Sequence, residues 1–417
     1  MHILIVHQYY LHKEEAGGSR WNQFAKFWSQ AGHKVTVLAG MLHYVTGKKN
    51  PEYKGKFIVT EQDGQNVVVK RCHVSEAYNK SFIGRAWAYC SFVFSSIIAG
   101  LFVKKPNVII CSSPALTVCI TGWVLSKLKR IPMIFEVRDL WPESAIDTGV
   151  LTNKWLIKFG YWLERFAYRN SSWINVLTPA FEEALIQKKG ISTDKISMIP
   201  NSADLDLIKP GPLNNWVREK YNLQDKFVVT YVGAHGVANA LMQLVEAAKI
   251  LKETDEQVQI MLVGMGMEKS KLIKAVKEYD LDNVTFIDPV PKSQINDYLN
   301  ASDICTAVLK KCDIFKTVYP NKVFDYMAAE KPIIIGIDGV AKKLVEDAEV
   351  GIFVEPENPQ SFAEAVIFLK KNPQQRQLFS QNGRKFVKDN FSRQPLSIKY
   401  LKIVEQVVER YNVKLKG

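Results

Sequence analysis

What most constrains this chain is a pattern that occurs twice. An apolar run over residues 1–7, a loop carrying Gly17-Gly18, and Trp21, Phe24, Ala25, Phe27 and Trp28 at mostly helical spacing read as strand, glycine turn, helix. After Pro200 and the breaker Pro210-Gly211-Pro212 the pattern starts again, with an apolar run over 227–232, a turn at Gly233-Ala234-His235-Gly236, and a helix over 241–251. Apolar runs at 34–38, 108–111, 133–137, 173–177 and 196–199 continue the first start. Those at 258–263, 284–287, 304–308, 332–337 and 351–354 continue the second. Strands alternating with helices build parallel sheets covered on both faces, and only residues 57–71, alternating around Asp63-Gly64, read as a hairpin. The expected fold class is α/β, with two doubly wound parallel-sheet domains at 1–200 and 213–392. A linker over 201–212 and a basic terminal helix over 393–417 complete it. A ligand is expected in the cleft between the domains, outside the carboxyl ends of the strands.

Charge narrows the partners. The 417 residues carry 55 Lys and Arg against 42 Asp and Glu, a net +13 that points to an anionic partner. Residues 370–417 hold twelve basic and three acidic side chains, a net +9, and Leu396, Tyr400, Ile403, Val407 and Tyr411 give that end one apolar helical face. No nucleic-acid recognition module is present, so nucleic acid is excluded. The apolar run Ile3–Val6 is too short for a signal peptide, and six cysteines without a Cys-x-x-Cys pair fit a reducing, cytoplasmic compartment. Residues 86–103 lack any charge, with Arg85 before them and Lys104-Lys105 after. Three readings stand for that segment: a membrane span, a buried helix, or a surface contact. With the basic carboxy-terminus, it is expected to dock the protein on an anionic membrane surface.

The loops after the first strand of each half are candidates for a diphosphate, through backbone N–H groups and a helix dipole, or are simply tight turns. Neither matches a dinucleotide or Walker fingerprint, and Gly264-Met265-Gly266 lacks the third glycine, which disfavours NAD and ATP. In Tyr319–Ala329, Pro320 sets a helix start, and Lys322 and Asp325 share a face. A cation and a carboxylate so placed divide a nucleotide between phosphate oxygens and ribose hydroxyls, or form a plain surface pair. Asp204-Leu205-Asp206 and Asp280-Leu281-Asp282 have metal-type spacing but fall where a hinge and a turn are expected, and the histidines are scattered. No metal and no cofactor are expected.

Several segments together resemble family 4 of the retaining glycosyltransferases, which have the GT-B fold of two facing Rossmann-like domains. They are Gly17-Gly18-Ser19-Arg20, Gly32–Val37, Ile199-Pro200-Asn201-Ser202-Ala203-Asp204 and Lys322–Ala329. Phe135–Ser144 is similar to the WbuB-like subgroup, which builds bacterial O-antigen and capsule units and includes N-acetyl-L-fucosamine transferases. The resemblance implies a terminal helix returning to the first domain. It implies a UDP-sugar donor and a polyprenyl-diphosphate-linked saccharide acceptor, handled at the inner face of the cytoplasmic membrane. A 2-epimerase on the same fold and a non-catalytic sugar-nucleotide scaffold are the alternatives. By resemblance Asp139 orients or deprotonates the acceptor hydroxyl, and Arg138 balances charge on the leaving diphosphate. Gly17, Gly18, Arg20, Trp141, Glu143, Gly233, His235, Gly236, Asn239, Val290, Asn321, Lys322 and Asp325 bind substrate. Asp325 stands where the family carries a ribose-binding Glu. Thr317 stands where its first carboxylate would be, and the usual Arg and Lys phosphate ligands are absent, leaving Lys322, His235 and the glycine-loop amides.

Overall fold

The computed structural model describes residues 1–12, 15, 19–42, 47–79 and 82–416, and the chain divides into two compact units. One comprises Met1–His12, Gly17–Pro200 and Gln394–Gly417; the other is built on Asn201–Arg393. Strands of the first are β1 (His2–Val6), β2 (Lys34–Gly40), β3 (Ile58–Gln62), β4 (Val67–Cys72), β5 (Val108–Ser112), β6 (Met133–Val137), β7 (Trp173–Val176) and β8 (Ile196–Met198). Those of the second are β9 (Phe227–Val232), β10 (Val258–Val263), β11 (Val284–Ile287), β12 (Ile304–Val308), β13 (Ile333–Gly336) and β14 (Gly351–Phe353). The helices that matter here are α1 (Arg20–Gln30), α2 (Phe82–Leu101), α3 (Val118–Lys129), α4 (Lys154–Asn170), α5 (Met242–Thr254), α6 (Asn321–Ala328) and α7 (Arg393–Lys416).

Both sheets are doubly wound. The first runs β3-β4-β2-β1-β5-β6-β7-β8 and the second β11-β10-β9-β12-β13-β14. Every pairing is parallel except the β3–β4 hairpin. The strand order reverses at β1/β5 in one unit and at β9/β12 in the other, the two places where such sheets open a crevice beyond their carboxyl ends. These strands form because continuous Val/Ile/Leu runs suit a sheet buried on both sides.

Side-chain alternation assigns the helices of the first unit to faces. Val35, Val37, Ile110 and Ile134 join the aromatic core made by Trp21, Phe24 and Trp28 of α1 and Tyr400 of α7. Residues of the other parity meet α2, α3 and α4. A Cβ at Gly100 of α2 would lie 3.2 Å from Leu38, one at Gly122 of α3 would strike Cys111 and Met133, and Phe135 stands 6.1 Å from Tyr168 of α4. The basic helix α7 and the largely apolar helix α2 therefore cover opposite faces of the sheet. This corrects the expectation that they form one membrane-facing surface.

The linker boundary also shifts. Ala203 and Ile208, expected in a linker, are buried in the second unit's core, and the Ala203 N–H donates to the Phe391 carbonyl at 3.0 Å. The buried stripe of α7 is Leu396, Tyr400, Leu401, Val404, Val407 and Val408; Ile403 is only half-buried. Among the described residues no helix is long and apolar enough to cross a membrane.

Candidate functional site

In the second unit the site begins with a glycine knot. β9 ends at Gly233, whose φ of 148° belongs to glycine, and β10 ends at Gly264, with φ 145°. The two loops touch backbone to backbone: a Cβ on Gly264 would lie 1.9 Å from the Gly233 carbonyl oxygen, and one on Gly266 2.3 Å from that of His235. In the sequence Gly264 and Gly266 read only as an incomplete dinucleotide pattern. Their role is to let two loops close on each other, a requirement that no linear fingerprint displays.

His235 is fully buried in this knot. Its N–H donates to the Met265 carbonyl at 2.9 Å, and neither ring nitrogen has a hydrogen-bond partner among the described residues. Burial first, then the ammonium groups of Lys269 and Lys322, lower its pKa to about 4, so the imidazole is neutral near pH 7. Asn239 closes the turn through its N–H to the Gly236 carbonyl at 3.0 Å, and its side chain reaches the phenol of Tyr231.

Helix α6 is set against this knot by Tyr326. β9 and β12 pair over only Val229–Ile304 and Thr230–Cys305. Beyond that the Tyr326 hydroxyl bridges them, accepting from the Val232 N–H at 3.0 Å and donating to the Thr306 carbonyl at 3.2 Å. Lys322, one turn earlier, lies with its ammonium 3.6 Å from the centre of the Tyr231 ring and 2.7 Å from where a Cβ of Gly233 would be. Burial alone pushes its pKa well below the lysine range, and no ion pair with a carboxylate is formed among the described residues. A cation–π contact offsets part of the cost of covering this charge, but an anion would do so more fully.

Asp325 is raised in pKa by burial, an effect opposed by Lys292 and Arg393 and reinforced by Asp204. Lys292, lowered by burial, follows the β11 loop and was not singled out in the sequence, because no motif surrounds it. Val290 packs against the core beneath β9 and β10, and Asn321 is exposed at the first position of α6. The Thr317 hydroxyl donates to the Ile314 carbonyl at 2.6 Å.

A separate cavity of about 320 Å³ lies past β12–β14, lined by Lys311, Lys316, Asp338 and Glu355. Two of its three lysines are already paired, Lys316 with Asp313 at 2.8 Å and Lys311 with Glu355 at 3.5 Å, and Lys310 is the third.

In the first unit the reversal point gathers His7 after β1, Ser112 and Ser113 at the end of β5, and Arg138-Asp139 after β6. The Arg138 N–H donates to Ser113 Oγ at 2.8 Å, and its guanidinium lies 3.5 Å from His7 Nε2. Burial and Arg138 lower the His7 pKa to about 3. Asp139 accepts from the Ser144 hydroxyl at 2.8 Å; burial, with a smaller contribution from Glu143, raises its pKa.

Other sequence-derived candidates make contacts within the first unit or lie elsewhere. Arg20 is buried, donating to Glu136 at 3.1 Å and to the Ile199 carbonyl at 2.9 Å, while Ser112 and Asn175 satisfy the rest of Glu136. Glu143 binds Lys189, which also holds the buried Glu164 at 2.9 Å. Trp141 lies over Gly160 of α4, where a Cβ would approach it to 2.9 Å. Gly17 and Gly18 lie outside the described residues. Asp204 Oδ1 accepts the N–H groups of Asp206 and Leu207, Asp280 is left-handed at φ 51°, and Asp282 pairs with Lys252. Among the described residues no group of three or more His, Cys, Asp or Glu is placed to hold a metal.

Residues 16–202 match the family model "Glycosyl transferase 4-like domain", and residues 215–386 match "Glycosyl transferases group 1". The alpha-D-kanosaminyltransferase of Streptomyces kanamyceticus is 22% identical over 273 residues, 63% of this chain and 67% of that protein. The capsular polysaccharide biosynthesis glycosyltransferase CapM of Staphylococcus aureus is 23% identical over 267 residues, 61% and 65% respectively. Matches to curated relatives span between 48% and 67% of those proteins. The crystal structure of Anabaena Alr3699/HepE in complex with UDP-glucose superposes with a TM-score of 0.72 at 16% identity, over 97% of this chain and 100% of that one, a likeness of fold.

Proposed function

The chain belongs to the GT-B glycosyltransferases, 4-like in its first half and group 1 in its second, and on that premise we propose that it transfers a sugar from a UDP-linked donor to a polyprenyl-diphosphate-linked saccharide. The observation that carries the reading is Lys322, a half-buried ammonium set over the Tyr231 ring beside a glycine turn, with no carboxylate partner among the described residues. Such a group at the carboxyl ends of parallel strands takes the diphosphate of a nucleotide. Neutral His235 and the amides of the Gly233 turn take further phosphate oxygens, and Asp325 accepts from the ribose hydroxyls. The UDP-glucose in the HepE structure supports a uridine donor.

The first unit handles the acceptor. Asp139, held by Ser144, orients the acceptor hydroxyl, and Arg138 balances negative charge as the diphosphate leaves. The bond from the sugar's anomeric carbon to phosphate breaks, the bond to the acceptor oxygen forms on the same face, and the acceptor proton passes to the departing phosphate. Retention therefore needs no covalent intermediate and no metal. The sugar proposed is N-acetyl-L-fucosamine or a related deoxy-amino sugar, as in the WbuB-like subgroup. The setting proposed is O-antigen or capsule synthesis, the latter supported by the capsular polysaccharide role of CapM, at the cytoplasmic face of the inner membrane.

The test is nucleotide release from UDP-, GDP- and TDP-sugars in EDTA, with and without lipid-linked acceptor. UDP release that requires acceptor is expected. Turnover of donor without acceptor would make the protein an epimerase, and no release under any condition a binding scaffold. A strict need for Mn²⁺ or Mg²⁺ would overturn the metal-free step.

A further inference from the structure

Helix α2 is built inside out. Ser91, Ser95 and Ser96 are buried and engaged: Ser95 donates to the His73 carbonyl at 2.7 Å, Ser96 meets Thr121 at 2.9 Å, and Ser91 accepts from the Ser75 N–H at 2.9 Å. The outward stripe is apolar, with Ile83, Trp87 and Phe94, and Phe102 just beyond the helix, all 61–80% exposed. Helix α4, on the same face of the sheet, repeats the arrangement. Trp155, Phe159 and Trp162 recur at four and three residues, each 52–79% exposed, and the Phe159 and Trp162 rings stack at 5.6 Å. Between them α3 exposes Leu128, while its Trp123 stands 5.4 Å from Phe166 of α4. A water-facing surface does not gather large aromatic groups this way.

We propose that the first unit lies on an anionic lipid bilayer through the outer faces of α2, α3 and α4, its aromatic side chains seated at the headgroup boundary. Charge chooses this occupant. Residues 82–105, 118–130 and 154–170 contain ten Lys and Arg and one acidic residue, Glu164, which is buried against Lys189. Aromatic stripes bordered by cations match an anionic interface, with rings at the acyl boundary and ammonium groups among the headgroups. A second copy of the chain is a poor partner, because a two-fold contact would set this basic face against itself. Of the two segments from which docking is expected in the sequence, residues 86–103 belong to this face, while the +9 carboxy-terminal segment ends in α7 on the opposite face of the sheet and is not the membrane contact. The proposal draws on the lipid-linked acceptor reading only for its consequence, that the enzyme works where its acceptor resides.

Flotation of the full chain with vesicles of phosphatidylcholine and phosphatidylglycerol, without donor or acceptor, tests it. Wild type should float, and less so as phosphatidylglycerol is withdrawn. The triple variant Trp155→Ser/Phe159→Ser/Trp162→Ser should lose about tenfold or more in partitioning, and so should Trp87→Ser/Phe94→Ser, since these exposed positions do not hold the core. Lys399→Gln/Lys402→Gln in α7 should float like wild type. The proposal fails if wild type stays in solution, if the aromatic variants float unchanged, or if the α7 variant alone is lost. A dimer in sedimentation that the triple variant abolishes would also overturn it. Turnover on a short-chain, water-soluble acceptor, which the triple variant should retain, reports separately on the transferase reading.

Discussion

A lysine half-buried between a glycine turn and an aromatic ring is charged only at a cost, and an anion that binds beside it offsets that cost. Because burial places the Lys322 pKa well below the usual lysine range, the free protein loses this proton earlier than an exposed lysine would as pH rises. Nucleotide binding must restore it. UDP affinity is therefore expected to weaken with rising pH, with proton uptake on binding measurable by calorimetry in buffers of different ionisation enthalpy. Lys322→Met should weaken UDP by about 10- to 100-fold, the worth of a charge-assisted hydrogen bond, and abolish the proton uptake. Retained uptake would refute the role. Asp139 separates from it by readout: Asp139→Asn should leave UDP affinity nearly intact and abolish transfer. Since burial raises the Asp139 pKa, wild-type transfer should fall on the acid side at a higher pH than an ordinary aspartate would give. Lys322 and Asp139 were legible in the sequence because each stands in a local motif after a strand. His7, Lys292 and Gly264 were not, because they join their sites through loops far away in the chain.

At the level of elements, strands were the most legible part, since a strand buried on both faces writes an unbroken apolar run wherever it occurs. Which face a helix presents was less so. In α2 the uncharged run left three readings open, whereas folding turns Ser95 and Ser96 inward onto His73 and Thr121 and leaves the aromatic residues outside. The terminal helix α7 shows the usual sense instead. Tyr400 is fully buried, with Trp21, Phe24 and Trp28 at ring distances of 5.9–6.2 Å. Its hydroxyl has no hydrogen-bond partner among the described residues. Tyr400→Ala should cost about 3 to 5 kcal/mol through loss of aromatic burial. Tyr400→Phe should be neutral or stabilising, because it removes a buried polar atom without a partner. Urea denaturation followed by tryptophan fluorescence checks both, and a Phe variant as damaged as the Ala one would show that the hydroxyl matters.

For the whole molecule, each unit holds a buried neutral histidine at the reversal point of its sheet, with pKa values of about 3 for His7 and about 4 for His235. An unfolded histidine titrates near 6.5, so below that pH the unfolded chain binds protons that the folded chain refuses. The stability tied to these groups is complete above about pH 6.5 and is lost as pH falls, down to about 4 for His235 and about 3 for His7, where folded and unfolded forms are protonated alike. Partly buried carboxyls with raised pKa, such as Asp139 and Asp325, act in the opposite sense, since unfolding releases their protons. The histidine contribution is therefore read as a difference between proteins. His7→Gln and His235→Gln should each flatten the fall in melting temperature between pH 6.5 and 5, and each should reduce the proton uptake on unfolding by about one at pH 5. Two units with separate cores allow separate unfolding transitions. Where calorimetry resolves them, His7→Gln should act on one and His235→Gln on the other. A pH profile unchanged by either substitution would mean that these imidazoles are not held neutral by the fold, and the neutral donor role proposed for His235 would fall with it.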